Sequence, residues 1–458
     1  MLSTPGPKII NGDINGDGSD EIFVPGAKDS KSTLFYWNDQ SLIQDDKFTL
    51  MNDFESETIE PLFFDADSDG DLDLYTANGG IEFSKFIPYL SDEIYFNDGN
   101  GNFSQSELEL PTNSKFFNSS TVEASDIDKD GDMDLFVGER LISDSYGLPG
   151  SGVILLNNGK GSFKDLTSIN APELEDIGMI TDAIFVDIDN DNDEDLIVIG
   201  EFMGINILLN ENGIFRLSRS ELSNYKGWWQ SIQSGDFNGD GLLDLVVGNH
   251  GLNSRFSASK EFPIRLYVND FDLNDQLDPV LTFKRENGKF YPYDLRHNLI
   301  DQIKPLKKVF PDYNSFRSAS IEDMFSSDQL DESLKLEVNT LSSSIFINKG
   351  NGRFDFHELP QVAQFSPIYS LLLKDFDLDG DIDIIAGGNL YNAKPEIGRY
   401  DASFGLFLEN DGKGKFEVPD SGYGFKLKGE VRSIILSNSN LVVGRNSDSI
   451  AIFKYLNE

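Results

Sequence analysis

The stretch Asp375-Phe376-Asp377-Leu378-Asp379-Gly380-Asp381-Ile382-Asp383 decides the fold, because the chain repeats it. DADSDGDLD fills Asp65–Asp73, DIDKDGDMD fills Asp126–Asp134 and DIDNDNDED fills Asp187–Asp195. DINGDGSDE (Asp13–Glu21) and DFNGDGLLD (Asp236–Asp244) carry Asn at the third place. Oxygen-bearing side chains recur at positions 1, 3, 5 and 9 of each nine-residue loop. The first loop offers Asp13, Asn15, Asp17 and Glu21, and the second Asp65, Asp67, Asp69 and Asp73. The third and fourth offer Asp126, Asp128, Asp130 and Asp134, then Asp187, Asp189, Asp191 and Asp195. The fifth has Asp236, Asn238, Asp240 and Asp244, and the last Asp375, Asp377, Asp379 and Asp383. Position 7 adds a backbone carbonyl, from Asp71, Asp132, Asp193, Leu242 or Asp381. So many carboxylates repel one another unless a cation lies between them, and calcium takes six to eight such oxygens. Gly at position 6 permits the sharp turn that aims the side chains at one point.

An EF-hand would place a bidentate Glu at position 12. That position holds Val24, Thr76, Val137, Val198, Val247 and Ala386, none of which is a side-chain ligand. Position 9 leads into an apolar run (LYTA, LFVG, LIVIG, LVVG, IIAGG), the mark of a buried strand rather than an exit helix. Each loop therefore joins two strands, and the metal clips the hairpin shut.

The loops start at 13, 65, 126, 187, 236 and 375. After most of them comes a second hairpin: YFNDGNGNF (95–103), LLNNGKGSF (155–163), LLNENGIF (208–215), IFINKGNGRF (345–354) and LFLENDGKGKF (406–416). One repeat is thus four strands with two tight turns, the unit of a β-propeller.

The DxDxDGxxD loops continued by LxVG or LxxAN, together with the LxxNxGxGxF hairpins, resemble the FG-GAP/VCBS repeat proteins, which share their blade with the integrin α-subunit head. GERLISDSYGLPG (138–150), GWWQSI (227–232) and IGRYDASFG (397–405) resemble the bacterial relatives of cartilage acidic protein, the ASPIC/UnbV class. The resemblance spans nearly the whole chain and implies a single propeller domain over 1–458, usually of seven blades. Eight is the alternative. The loops account for six blades, and VRSIIL, LVVGRN and IAIFKY for a three-strand seventh that a strand from the first residues would complete.

Two places depart from the repeat. Asp270–Asp278 (DFDLNDQLD) offers Asp270, Asp272, Asn274 and Asp278 only 34 residues after Asp236, so it links strands inside the fifth blade or begins an eighth. The interval from 236 to 375 is too long for one blade, and a helical insertion is expected over 294–340. Leu295, Leu299, Ile303, Leu306 and Phe310 recur at helical spacing, interrupted by Pro305, and Ser327 is the expected cap of a second helix. The insert either braces one end of the propeller or forms a functional cap.

The net charge of −42 repels nucleic acid and anionic lipid, and no apolar run is long enough to span a bilayer. Six or seven calcium ions offset only about a third of that charge. The chain has no cysteine. Extracellular calcium modules bind at roughly 10⁻⁴–10⁻³ M, which favours the cell surface, the extracellular space or the periplasm. The start MLSTPGPKII shows no signal-peptide core.

Catalysis finds little support. His250, His297 and His357 are the only histidines and form no metal pair or nucleophile motif. Trp228 and Trp229 are candidates to stack on a sugar, and Arg399 and Tyr400 to border a binding surface; packing and a loop-fixing ion pair are the plainer roles. Asn249, His250, Arg255 and Tyr391 are weaker candidates. Two functions are open: a calcium-stabilised recognition module for a protein or glycan, or a carbohydrate-active enzyme resembling polysaccharide lyases. The resemblance implies the first, including partnership with outer-membrane nutrient-uptake components.

Overall fold

The computed structural model describes residues 6–39, 41–51, 54–81, 88–115, 117–143, 145–419 and 426–455. Each acidic loop closes a hairpin. Thr58–Phe64 leads into the second loop and Asp73–Asn78 leaves it, with Phe64 paired to Asp73. Every residue of Asp73–Asn78 is buried, because neighbouring sheets cover both faces of the strand. Glu93–Phe96 and the short Ser104–Gln105 complete a four-stranded antiparallel sheet. The same order recurs in sheets whose first strands are Ile10–Gly12, Ser119–Ser125, Met179–Val186, Ser231–Gly235 and Ile368–Lys374. The fourth gains Gly227–Trp228 beside Asp195–Met203.

These first strands form a ring. Each touches the first strand of the next sheet, and Glu430–Ser437 of the last sheet touches Ile10–Gly12. The Ile9 amide donates to Ser433 Oγ at 2.8 Å, and that hydroxyl donates to the Pro7 carbonyl at 3.2 Å, so the two ends of the chain are tied where the ring closes. A separate core fills the gap between neighbouring sheets. Ile14, Phe23 and Leu34 meet Leu74 and Tyr95 in one gap, and Ile9 and Ile22 meet Val442 where the last sheet meets the first. The arrangement is a β-propeller.

The last sheet holds three strands among the described residues: Glu430–Ser437, Asn440–Asn446 and Ala451–Lys454. The expected fourth strand from the start of the chain is absent there. Ile10–Gly12 instead pairs with Glu21–Val24 as the innermost strand of the first sheet, and residues 1–5 lie outside the described residues.

An eighth sheet stands outside the ring. Its order is Phe290–Pro292, Asp278–Lys284, Ile264–Asn269, Leu334–Val338. It is threaded between two adjacent strands of the fifth sheet, since Asp244–Gly248 pairs directly with Ser344–Asn348. The departure from the repeat therefore begins well before 294, and Leu334–Val338 is a strand inside the stretch expected to be helical. The loop 270–278 joins Ile264–Asn269 to Asp278–Lys284, the first two strands of this sheet, so it does not link strands of the fifth ring sheet; it begins an eighth sheet, one that stands outside the ring.

Strand alternation gives the inserted sheet two buried faces. Ile264, Leu266 and Val268 point at the ring and pack with Met179, Phe202 and Trp228. Tyr267, Val280 and Phe290 point away and pack under Leu299, Ile300, Ile303 and Leu306. Short helices supply that cover: Arg296–Gln302, Leu306–Val309, Tyr313–Phe316, Ile321–Met324 and Ser327–Glu332. Pro305 separates the first two, as its missing N–H requires. The last is capped one residue earlier than expected, by Ser326, whose Oγ accepts the Gln329 amide at 3.3 Å. The apolar helical face thus covers the inserted sheet rather than the end of the propeller, and Leu295 stays 41% exposed ahead of the first helix.

Candidate metal loops and a cavity beneath the inserted unit

The acidic loops share one backbone shape. Positions 4 and 6 are left-handed throughout: Ser68 at φ 62° and Gly70 at 96°, Asn190 at 66° and Asn192 at 72°, Leu273 at 60° and Asp275 at 64°. Asn and Asp tolerate this region, so loops lacking Gly at position 6 still close. The turn aims amides at the first acid: Asp69 N and Gly70 N donate to the two Asp65 oxygens at 3.2 and 3.1 Å. Asp69 accepts the Asp71 amide at 3.2 Å, so position 5 also serves the turn.

Positions 1, 3 and 9 converge. Carboxylate oxygens of Asp65, Asp67 and Asp73 lie within 4.8 Å of one another, as do those of the equivalent triads starting at Asp126, Asp187, Asp270 and Asp375. In the loops starting at Asp13 and Asp236, Asn15 and Asn238 occupy the middle place. Buried oxygens of Asp67, Asp126, Asp272 and Asp375 have no hydrogen-bond donor among the described residues. Acceptor-only oxygens crowded together without donors fit a hard cation. Burial pushes Asp73 up to about 6 and Asp134 and Asp195 up to about 7, with neighbouring carboxylates adding to it. Burial likewise raises Glu21 to about 7 and Asp244 to about 6. These residues can hold a divalent ion.

A second device joins the loops to one another. Asn210, Asn348 and Asn410 each end the third strand of a sheet, and Asn97 and Asn157 directly follow theirs. The Asn157 amide N–H donates to Asp134 at 2.8 Å, while its side-chain Nδ2 donates to Met133 O at 3.0 Å in its own loop and to Ala66 O at 2.8 Å in the loop of the preceding sheet. The other four repeat the pattern; Asn348, for example, reaches back to Ile188 O at 3.0 Å. Sequence reasoning treated these Asn residues only as turn formers. Their fixed place before each Gly-rich turn was the available signal.

At the ring centre Lys8 Nζ donates to Glu60 Oε1 at 2.8 Å and Asp182 Oδ1 at 3.3 Å. Burial alone would lower Lys8, but Asp182 and Glu60 outweigh it and hold the ammonium above its ordinary value. Burial, with Glu60 and Asp182 beside it, pushes Glu123 well up.

Between the ring and the inserted unit lies a cavity of about 520 Å³. Three departures from the repeat meet on its wall. Tyr146 comes from the 139–150 segment (whose Asp144 lies outside the described residues), Leu295, Asn298 and Gln302 from the insert, and Lys394, Glu396 and Ile397 from the sixth sheet's long connection. Gly147 sits against Val268, which leaves no space for a side chain there. The 139–150 segment also brings Arg140, and the ring adds Glu201, Phe202, Trp228, His250 and Tyr369. Arg140 pairs with Glu201 at 2.7 Å, and Tyr146 Oη donates to the same carboxylate at 3.1 Å. Trp228 is edge-on to His250 at 5.2 Å and to Phe256 at 5.1 Å. Burial holds His250 down to about 4, so it is neutral at physiological pH.

Of the expected ligand residues, Trp228 lines this cavity, whereas Trp229 is fully buried in the core between the fourth and fifth sheets, its Nε1 donating to Tyr225 O at 3.1 Å. Tyr400 packs on His250 at 4.7 Å, behind the wall, and Arg399 lies 4.4 Å over the Tyr391 ring. Arg140, Glu201 and Tyr369 were missed. A Glu inside the otherwise apolar run 196–203 was a legible sign, since a charge buried in a strand needs a partner.

A family model described as an FG-GAP-like repeat matches residues 65–137 and 187–247. No curated protein matches the chain. Among solved structures it is similar to the Dos1 propeller, at 10% identity over 99% of this chain and 96% of that one, with a TM-score of 0.43. It is also similar to the V. cholerae biofilm matrix protein Bap1, at 10% identity over 100% and 88% with a TM-score of 0.35. A third is the Bacillus licheniformis rhamnogalacturonan lyase PL11, at 12% identity over 98% and 71% with a TM-score of 0.39.

Proposed function

We propose that this chain, an FG-GAP-repeat β-propeller protein, is a calcium-stabilised recognition module of the cell surface or extracellular space rather than an enzyme. The ring of seven sheets is its set of seven blades, and six ring loops plus the loop at 270–278 are its calcium sites. The observation that carries the reading is the pairing of repeated acidic triads with one non-repeated cavity. The loops serve every blade alike and so stabilise, while specificity lies where the repeat is broken. The ligand is a protein segment or a glycan, and uptake components of an outer membrane are its expected company.

When bound, calcium would supply positive charge to positions 1, 3 and 9 and take up the oxygens that now lack donors. The chain's own part is the left-handed turn that presents those oxygens and the Asn side chains that transmit their position to the next blade. An ion that binds only the folded state stabilises by mass action, so chelation lowers the melting temperature and added calcium restores it. Isothermal titration of metal-stripped protein and melting curves with and without chelator test this. No calcium uptake together with an unchanged melt rejects it.

One observation favours the lyase alternative: Arg140, Tyr146, His250 and Tyr369 converge on the cavity. Against it, Arg140 is committed to Glu201 and His250 is held among aromatic rings. Ultraviolet absorbance from unsaturated products, sought with acidic polysaccharides, decides between the two.

A further inference from the structure

The asparagines at the ends of the third strands do more than fasten neighbouring sheets. Each holds the ligand-bearing backbone of two acidic loops at once. The Asn157 amide donates to Asp134, position 9 of its own loop, at 2.8 Å, and its Nδ2 donates to the Ala66 carbonyl at 2.8 Å. Ala66 lies between Asp65 and Asp67, positions 1 and 3 of the preceding loop. Its amide donates in turn to Asp73, position 9 of that loop, at 2.9 Å. Three hydrogen bonds thus join one position-9 carboxylate to the next.

The link recurs from loop to loop. Asn97 joins Ile14 to Asp73, and Asn210 joins Ile127 to Asp195. Asn348 joins Ile188 to Asp244, and Asn410 joins Phe237 to Asp383. The amides of Ile14, Ile127, Ile188 and Phe237 donate to Glu21, Asp134, Asp195 and Asp244, so the chain runs unbroken from Glu21 to Asp383. There it stops. The Phe376 carbonyl accepts Tyr455 Oη at 2.8 Å, where a further Asn would stand. The middle loops carry a second contact, from position 4 to position 6 or 7 of the next loop. Ser68 Oγ donates to Asp132 at 3.2 Å, Lys129 Nζ to Asn192 O at 2.8 Å and Asn190 Nδ2 to Gly241 O at 3.4 Å. The loop 270–278 lies off this chain. The Phe271 amide donates to Asp278 at 3.1 Å, but its carbonyl accepts Gln329 Nε2 at 3.0 Å, from the last helix of the insert itself.

Such a chain has an energetic consequence. The carboxylates of one loop repel one another, so binding an ion includes the cost of ordering positions 1, 3 and 9 around it. Ordering one loop fixes the residue between its positions 1 and 3, and the Asn held by that residue fixes position 9 of the next loop. Part of the ordering cost is then already met when the neighbour binds, which makes binding cooperative. Charge acts with the opposite sign. A filled site is less negative than an empty one and attracts the next cation less, an effect screened beyond about 8 Å at physiological salt. Positive coupling therefore reports the hydrogen bonds and not the charges.

We propose that the six ring loops take up calcium cooperatively, with Asn97, Asn157, Asn210, Asn348 and Asn410 as the coupling residues, and that the loop 270–278 fills independently of them. The proposal rests on the calcium reading above and adds how the sites communicate.

The test is calorimetric titration of the metal-stripped full chain with calcium chloride, with bound ions counted by native mass spectrometry. Asp128→Ala disables the third loop and leaves every bond of the chain in place. It should weaken the remaining ring sites by about fivefold or more. Asp272→Ala should remove one ion and leave the others at parent affinity. In an Asn157→Ser, Asn210→Ser background, which keeps every carboxylate and cuts both links of the third loop, the effect of Asp128→Ala on the other sites should shrink. Where Asp128→Ala does not fold, Asp128→Asn takes its place, since the first and fifth loops already carry Asn at position 3; the weakening is then smaller and of the same sign. Unchanged or raised affinity at the remaining ring sites overturns the coupling, as does an equal effect of Asp272→Ala or an effect that survives the double Asn substitution. Each of these, with a full count of bound ions, spares the calcium-stabilised scaffold. No calcium uptake by the parent chain overturns the scaffold reading and the coupling together.

Discussion

Replacing Lys8 by Met tests how the ring is held at its axis. Lys8 stands 2.8 Å from Glu60 and 3.3 Å from Asp182, and these three side chains are 21, 15 and 13% exposed. Methionine keeps the aliphatic stem and removes the only cation described in contact with them. Breaking a buried ion pair from one side costs about 3–5 kcal/mol, because the surviving charges stay desolvated. Taking the chain of 458 residues as one cooperative unit, an unfolding entropy near 2 cal/mol/K per residue makes 1 kcal/mol worth about 1 °C. A fall of about 3–5 °C is therefore expected at pH 8. The pH dependence has a definite sign. Glu60 and Glu123 are held above their ordinary values, so the fold favours their protonated forms, and stability is lost as pH rises through that range. Lys8 is also held above its ordinary value, so its contribution is complete at neutral pH and lost only under strongly alkaline conditions. Removing it pushes the carboxylates higher still. The difference between variant and parent should be smaller at pH 5 than at pH 8, because protonation of Glu60 and Glu123 grows as pH falls. Calorimetry of both proteins in saturating calcium at the two pH values measures this. A variant as stable as the parent at pH 8, or a difference that does not depend on pH, refutes the reasoning.

Asn157→Ala removes the side-chain hydrogen bond to Ala66 O in the preceding loop and the one to Met133 O in its own, and should cost about 1–3 kcal/mol by denaturant titration. Trp229→Ala should lower stability by about 3–5 kcal/mol, as expected of a fully buried core residue. Replacing 252–340 by a short Gly-Ser linker should leave the ring folded, because Gly251 N already donates to Leu341 O at 2.8 Å across the gap. Circular dichroism and size-exclusion chromatography check this, and an unfolded or aggregated product would show that the insert is a structural brace.

The acidic loops and the hairpins after them were legible because their chemistry is local. Position 9 and the apolar run behind it are adjacent in sequence, and the loop's turn depends on residues at positions 1, 4, 5 and 6 of the same loop. The inserted sheet was not legible, because its strands alternate just as ring strands do. Only the pairing of Val246 with Ile345 reveals that the fifth sheet is interrupted, and no local pattern encodes a partner so distant. Trp228 and Trp229 show the same limit on a smaller scale. As neighbours in extended chain they face opposite ways: one lines the cavity and the other fills a core. The cavity itself gathers Arg140, Glu201, His250 and Lys394 from four separate parts of the chain, a convergence that only the closed ring creates.

Threading a sheet through the middle of another has a consequence for the order of assembly. When Asp244–Gly248 leaves the ribosome, its pairing partner Ser344–Asn348 has not been made. At 5–20 residues per second, roughly ninety residues of delay leave one edge of that strand open for about 5–20 s. During that interval the inserted unit can fold by itself, since its strands are close together in the chain. Once it has, Ile264 and Val338 are paired, and the loop left to close between Gly248 and Ser344 is much shorter than the sequence between them. The nascent chain then reaches the fifth sheet with its ends pre-registered, and the last strands have only to find a ring whose widest gap is already bridged.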